Sequence, residues 1–199
     1  MFTDEEILDE VKKIQYVYGL KHEIRYEGER SGQAESVAEH VYAMHILAHY
    51  FIELENPEHT WNKEHIFSMI TWHDMDELET GDIVGYKKTE ADREREKIAT
   101  QIVLEKIPTL VRNSIMTINT EYSKQETKEA QFVKAVDKIE PLFHVFNESG
   151  KEMLFRNKTT YENCKSIKDK YMTNFPHLMR FNEVITKNMQ LQGFFTQEA

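Results

Sequence analysis

Only seven glycines and four prolines interrupt 199 residues, and that scarcity constrains the fold more than any other feature. A sandwich or barrel of short strands needs a turn signal every ~8–12 residues. Here long stretches run without one, and within them apolar residues recur three and four positions apart, the helical period. The expectation is an all-α chain. Thr3 with Glu6 reads as a capping box opening a helix with apolar positions Ile7, Leu8, Val11 and Ile14, ending near Gly19. Residues 20–34, with Gly28 and Gly32, read as a loop. Ser36 then caps a helix to about Leu54, with Val37, Val41, Met44 and Leu47 on one face. A third helix spans 61–78, with Ile66, Met69 and Ile70 inward, and breaks at Gly81. Beyond a loop to Lys88, a charged helix over 91–106 carries Ile98, Ile102 and Leu104. Pro108 suits the first turn of a helix fading by Ser123. Another runs over 126–146 and stops at Ser149 and Gly150, and two more cover 159–174 and 176–191. With no repeat, no low-complexity tract and no long linker, the reading is one helical bundle over 1–199.

Charge and cysteine content narrow the partners. A formal charge of −10 without a dense Lys/Arg block argues against a nucleic acid polymer as ligand. A small phosphorylated substrate needs only a local cluster of cations and remains open. Cys164 is the single cysteine and has no intramolecular disulfide partner, as suits a reducing compartment. The acidic start MFTDEEILDE has no signal-peptide character, and no stretch approaches the ~20 apolar residues of a membrane span. A cytoplasmic protein without membrane contact is expected.

Three segments set ionisable groups among apolar helical neighbours: Glu35 to His40, His73 to Leu78, and Lys134 to Glu140. Burying a charge without a partner is costly, so such groups pair, coordinate a metal or face a wet cleft. His40 lies among Val37, Val41 and Met44. His73 and Asp74 offer a nitrogen and an oxygen ligand about 100° apart around a helix. Asp137 closes the set from a third helix. Two imidazoles and two carboxylates leave water positions open on an octahedral ion, which separates a catalytic site from a structural one. The imidazoles favour a transition metal over Mg²⁺, within a candidate list of Mn, Co, Fe, Zn and Mg. His45 and His49 lie four apart on one helix but lack a nearby carboxylate in an HExxH-like pattern. His59 and His65 read as loop and surface residues.

Taken in order, Ser36 to His40, then His73, Asp74, Glu77 and Thr80 to Ile83, then Val133, Lys134, Asp137, Lys138 and Glu140 resemble the HD-domain superfamily of metal-dependent phosphohydrolases. Within it they are similar to the HD-domain 5′-deoxynucleotidase family. The resemblance covers about 20–146, and the C-terminal third carries no usable motif. It implies a compact helical bundle of the HD-domain type and one divalent metal on His40, His73, Asp74 and Asp137. The implied activity is hydrolysis of a nucleoside 5′-monophosphate to nucleoside and phosphate. Glu77 and Asp82 match the positions that handle the attacking water and the proton. Glu77, four residues after His73, should share its helical face. Arg25 matches the phosphate-binding arginine of the first loop, with Arg30 a second cation nearby. The tryptophan that accompanies that arginine in the family is absent; Tyr26 stands next to Arg25 instead, which leaves deoxyribose against ribose open. Lys87 and Lys88, just after Asp82, are further candidates for holding phosphate.

Other reactions fit this scaffold less well. HD enzymes that hydrolyse alarmone pyrophosphates carry HDxxED, and Leu78 stands where the second acid would be. The GYP motif of cyclic-dinucleotide phosphodiesterases is not completed, since Gly85 and Tyr86 precede Lys87. A non-catalytic metal or nucleotide sensor would not need Glu77 and Asp82. The stripe Leu178, Phe181, Ile185 and Phe194 reads as core, although the same surface could support a homodimer.

Overall fold

The computed structural model describes residues 1–25, 34–83 and 87–197. Tyr26, Arg30, Gly85 and Tyr86 lie outside the described residues. The described chain is built of helices and turns, with two isolated bridges, Ile24 to Ser36 and Thr160 to Thr196, and no strand. Helix α1 (Asp4–Val17) opens on the Thr3–Glu6 capping box and runs into a 3₁₀ turn, Tyr18–Lys21. Helix α2 (Val37–Glu55) opens on a second box, between Ser36 and Glu39. There follow α3 (Lys63–Trp72), a short α4 (Glu77–Thr80), α5 (Glu90–Lys106), α6 (Thr109–Lys124) and α7 (Lys128–Val145). Helices α8 (Glu148–Arg156), α9 (Tyr161–Met172) and α10 (Pro176–Leu191) complete the order.

Helix α7 is the axis of the bundle: α2, α3, α6, α8, α9 and α10 all pack on it. Its apolar positions, Phe132, Val133, Val136 and Ile139 among them, are fully buried on several sides, as expected of a helix without a solvent face. Pro141 lies inside α7, so the carbonyl of Asp137 loses its ordinary i+4 helical donor. A smaller cluster of Met75, Val103, Leu104, Ile107 and Ile115 joins the 73–76 turn to α5 and α6.

Four expectations need correction. The helix over 61–78 is two helices, because α3 ends at Trp72 and the chain turns through His73–Asp76 with i+3 bonds such as Glu77 N–H to Asp74 O at 3.1 Å. The turn sends Met75 into the second cluster while His73 stays buried beside His40. Ser149 and Gly150 do not end the chain's helical run; they lie inside α8, capped by Asn147. A Cβ at Gly150 would sit 2.2 Å from the Val145 carbonyl oxygen, so glycine marks a close helix approach there rather than a terminator. In α5 the inward residues are Ala99, Val103 and Leu104, and Ile98 is exposed. Helix α1 buries none of its residues, leaving Ile7, Val11 and Ile14 on the surface. The C-terminal stripe is core: Leu178 and Phe194 are buried, with Phe181 and Ile185 packed against them.

Candidate metal centre

His40 projects from the first turns of α2 and His73 caps α3, and their rings lie 5.5 Å apart, both fully buried at the side chain. Each ring is held by Nδ1: His40 against Glu140 Oε2 at 2.7 Å, His73 against the carbonyl of Ile70 at 2.9 Å. A carbonyl cannot donate, so His73 Nδ1 carries the proton and its Nε2 presents a lone pair. His40 Nε2 and His73 Nε2 are both buried without a hydrogen-bond partner. His73 Nε2 lies 2.9 Å from Asp74 Oδ2, a contact without hydrogen-bond geometry. Buried imidazole nitrogens left unpaired in this way are the exception in folded proteins.

The two carboxylates complete a mixed donor set. One nitrogen of each ring and one oxygen of Asp74 all lie within 4.8 Å of one another. His40 Nε2 is 3.8 Å from Asp74 Oδ2 and 3.7 Å from Asp137 Oδ1. The other oxygen of Asp137 is engaged by Lys138 at 3.0 Å, Lys134 at 3.1 Å and the Tyr122 hydroxyl at 3.1 Å, so only Oδ1 turns to the imidazoles. Burial works against the ionised form of Asp137, but Lys138 and Lys134 outweigh it and hold the carboxyl well below the usual range. Orphaned nitrogens, a shared carboxylate oxygen and anchored far sides are the features a divalent cation requires.

Beside this set lie three more acids. Glu77, at the start of α4, is buried, and its Oε2 has no hydrogen-bond partner. Burial first, then the charges of Asp74, Asp82 and Asp76, push the Glu77 carboxyl well above the ordinary value despite Arg25. Asp76 is pushed up to about 7 by burial and by Asp74 and Glu96. The expectation that Glu77 shares a helical face with His73 fails, because the turn separates them; proximity is restored by the fold, not by the helical period.

Arg25 is buried and tied into a network behind His40. Its Nη1 lies 2.6 Å from Glu35 and 3.1 Å from Glu140, and its Nε 3.9 Å from Asp82. Glu35, His40 and Glu140 also cluster closely enough to hold an ion, but the guanidinium already bridges the two carboxylates. Lys88 reaches the polar groove that opens on His73 and Asp74, paired there with Glu96 at 2.5 Å. Lys87 is exposed and lies 3.4 Å from Asn157. The structure thus gathers His40, His73, Asp74, Asp137, Glu77, Asp82, Arg25 and Lys88 around one point, with Lys87 farther out. Arg30 falls outside the described residues.

Of the other histidines, His144 joins the network behind His40, 3.5 Å from Glu35, while His45, His49 and His65 lie elsewhere. His45 and His49 lean on Phe67 at 5.4 and 4.3 Å, and His65 pairs with Glu121 at 2.5 Å. Sequence reasoning assigned nothing to Glu140, Tyr122, Lys134 and Lys138, which grip the ligand side chains. Lys134, Lys138 and Glu140 stand within one helical turn of Asp137 and were legible as its neighbours. Tyr122, from α6, carries no signal in the sequence.

Comparison with known proteins agrees with this geometry. The HD domain family model matches residues 17–179. A 5′-deoxynucleotidase of Schizosaccharomyces pombe, hdd1, is 32% identical over 123 residues, 59% of this chain and 60% of its own length. The 5′-deoxynucleotidase HDDC2 of Xenopus laevis is 31% identical over 109 residues, 53% of this chain and 51% of its own. The chain therefore spans between half and three fifths of the length of these relatives. Among solved structures, a protein of Magnetospirillum magnetotacticum MS-1 described as a predicted metal-dependent phosphohydrolase superposes with a TM-score of 0.80 at 18% identity, covering 96% of this chain and 98% of its own. An HD-domain phosphohydrolase of Listeria innocua superposes at 0.59 with 21% identity, covering 90% and 84%. The shared fold and a family match over most of its length place the chain in the HD domain family.

Proposed function

We propose that the chain is a metal-dependent phosphomonoesterase that hydrolyses nucleoside 5′-monophosphates to nucleoside and phosphate. The observation that carries this reading is the pair of buried imidazoles, each anchored through Nδ1 and each with an unpaired Nε2 facing a shared carboxylate. Relatives named as 5′-deoxynucleotidases support the substrate class. His40, His73, Asp74 and Asp137 would hold the ion, with Mn, Co, Fe or Zn preferred to Mg on the strength of the imidazoles. When bound, a divalent cation supplies Lewis-acid polarisation of a phosphoryl oxygen and a lowered pKa for an attacking water.

The chain's own groups do the rest. Glu77 exchanges a proton with the attacking water, a task suited to a carboxyl whose proton affinity burial and the neighbouring acids raise. Asp82, on the far side of Gly81, orients the same water. Arg25, on the wall of the adjoining cavity, and Lys88, on the polar groove, place positive charge beside the phosphate as charge accumulates on it. Lys87 belongs to the outer rim of this phosphate site, and Arg30 remains a second candidate cation by its place in the sequence. A pyrophosphatase of the HDxxED kind is disfavoured, because Leu78 packs against the second core cluster where an acid would be needed. No described helix is long and apolar enough to cross a membrane, and a cytoplasmic location belongs to the same reading.

The test is phosphate release from a panel of ribo- and deoxyribonucleoside 5′-monophosphates, run with each divalent ion after chelation. Metal-dependent release is the expected result. Silence across the panel with metal bound would send the search to diesters or to a sensing role.

Metal uptake should also displace a proton. Burial, the largest influence on His40, and Arg25 favour its neutral ring, but the carboxylates of Asp137 and Glu140 outweigh them and push it up to about 9. A raised value means the proton stabilises the metal-free fold fully below the free-histidine range, and that contribution is lost as pH rises through about 9. At pH 7 the ring is protonated without metal, so calorimetry in buffers of different ionisation enthalpy should read release of about one proton per ion bound. Proton-neutral binding would count against His40 as a ligand.

A further inference from the structure

A cavity of about 110 Å³ lies between α7, α8, α9 and α10, and nothing in the hydrolytic scheme uses its inner part. Arg25, Asp82, Asp137 and Lys138 line it where it meets the metal centre, while Leu142, Met153, Ile167 and Met189 make much of the rest apolar. Set into that wall is Lys168, only 5% exposed.

Buried lysines normally pair with an acid. Lys168 does not: Nζ lies 3.3 Å from the carbonyl and 3.4 Å from the sulfur of Cys164, and no carboxylate pairs with it among the described residues. The neighbouring acid, Asp169, is taken by Lys165 at 2.5 Å and by Asn182 at 2.9 Å. The carbonyl belongs to the helix's own ladder and a thiol sulfur is a weak acceptor, so an amine with several donors remains under-used. A leucine or methionine would fill the same position without the cost of burying a polar end. A polar group retained against that cost, on the wall of a cavity open to a reaction centre, points to a ligand acceptor.

We infer that this cavity takes the base of the nucleotide and that Lys168 donates a hydrogen bond to a ring carbonyl oxygen, so that the site prefers 5′-monophosphates of carbonyl-bearing bases to those of adenine. The inference rests on the nucleotidase reading above. Thymine, uracil and guanine present such a carbonyl, and adenine offers none.

The experiment compares wild type with Lys168→Met on deoxythymidine, deoxyuridine, deoxyadenosine and deoxyguanosine 5′-monophosphates and on deoxyribose 5-phosphate, which has no base. Binding of deoxythymidine and deoxyadenosine is measured separately by calorimetry. Wild type should favour the deoxythymidine and deoxyuridine esters over the deoxyadenosine ester in kcat/KM by about tenfold or more, and Lys168→Met should remove that advantage. Turnover of the baseless phosphate should stay unchanged, showing that the variant is folded and its metal centre intact. Equal turnover of the deoxyadenosine and deoxythymidine esters by wild type, or an unaltered ratio in the variant, would overturn the assignment. Should no monoester be hydrolysed at all, the nucleotidase reading fails and binding decides the rest. Deoxythymidine bound by wild type and lost in Lys168→Met would still support the cavity, and no binding would overturn it.

Discussion

Replacing Asp74 with alanine is expected to lower kcat/KM for 5′-monophosphates by about 10³-fold or more and to abolish tight uptake of the divalent ion. Asp74 Oδ2 is the oxygen common to both rings, 2.9 Å from His73 and 3.8 Å from His40. Removing it strips the set of its central anion while both imidazoles keep their Nδ1 anchors on Glu140 and Ile70. Asp74 raises the proton affinity of both Asp76 and Glu77, but against its burial His73 and His40 hold Asp74 itself well below the usual carboxylate range, so its ionised form stabilises the metal-free fold near neutral pH. Metal-free Asp74→Ala should therefore melt somewhat lower than metal-free wild type near neutral pH, and the gain in melting temperature that metal gives wild type should disappear. Activity within about tenfold of wild type, with metal affinity intact, would remove Asp74 from the centre.

Helix positions were legible wherever a local device set them. The box at Thr3 and the cap at Ser36 appear as read, and Glu39 makes the second a box as well. The four ligand candidates were legible for a related reason: each puts a polar group among apolar neighbours, and the fold brings all four together. What the sequence did not display depends on contacts between distant segments. The 61–78 pattern has helical period throughout, yet the chain turns at His73 so that Met75 can serve a second core. Gly150 looks like a terminator because its reason for being glycine, the carbonyl of Val145, comes into view only once α8 folds back on α7. Arg25 was legible only by its motif position, and its burial between Glu35 and Glu140, where its charge also holds the carboxylate that orients His40, was not. Nothing in the sequence singles out Lys168, and only packing shows that its acid neighbour is already taken.

Glu77→Gln should lose about 10²–10⁴ in kcat/KM, the usual contribution of a positioned acid or base, while binding metal as wild type does. Glutamine keeps the size and a hydrogen-bonding end but cannot exchange a proton, and Glu77 is not among the atoms that converge on the imidazoles. A purely structural Glu77 would instead be revealed by a drop in stability, and the linkage predicts the opposite. Burial and the charges of Asp74, Asp82 and Asp76 raise the folded-state value above the unfolded one, so folding takes up a proton. For an acid shifted that way, stability falls as pH climbs above the unfolded value of about 4.3. Gln carries no such penalty. Metal-free Glu77→Gln should therefore melt higher than metal-free wild type at pH 8, and the two should converge at about pH 3, where the glutamate is neutral in both states. Higher stability with lost turnover would mark Glu77 as a group kept for chemistry at the expense of the fold. Full turnover with the same melting behaviour would leave the proton to Asp82, which lies beside Arg25 on the wall of the adjoining cavity.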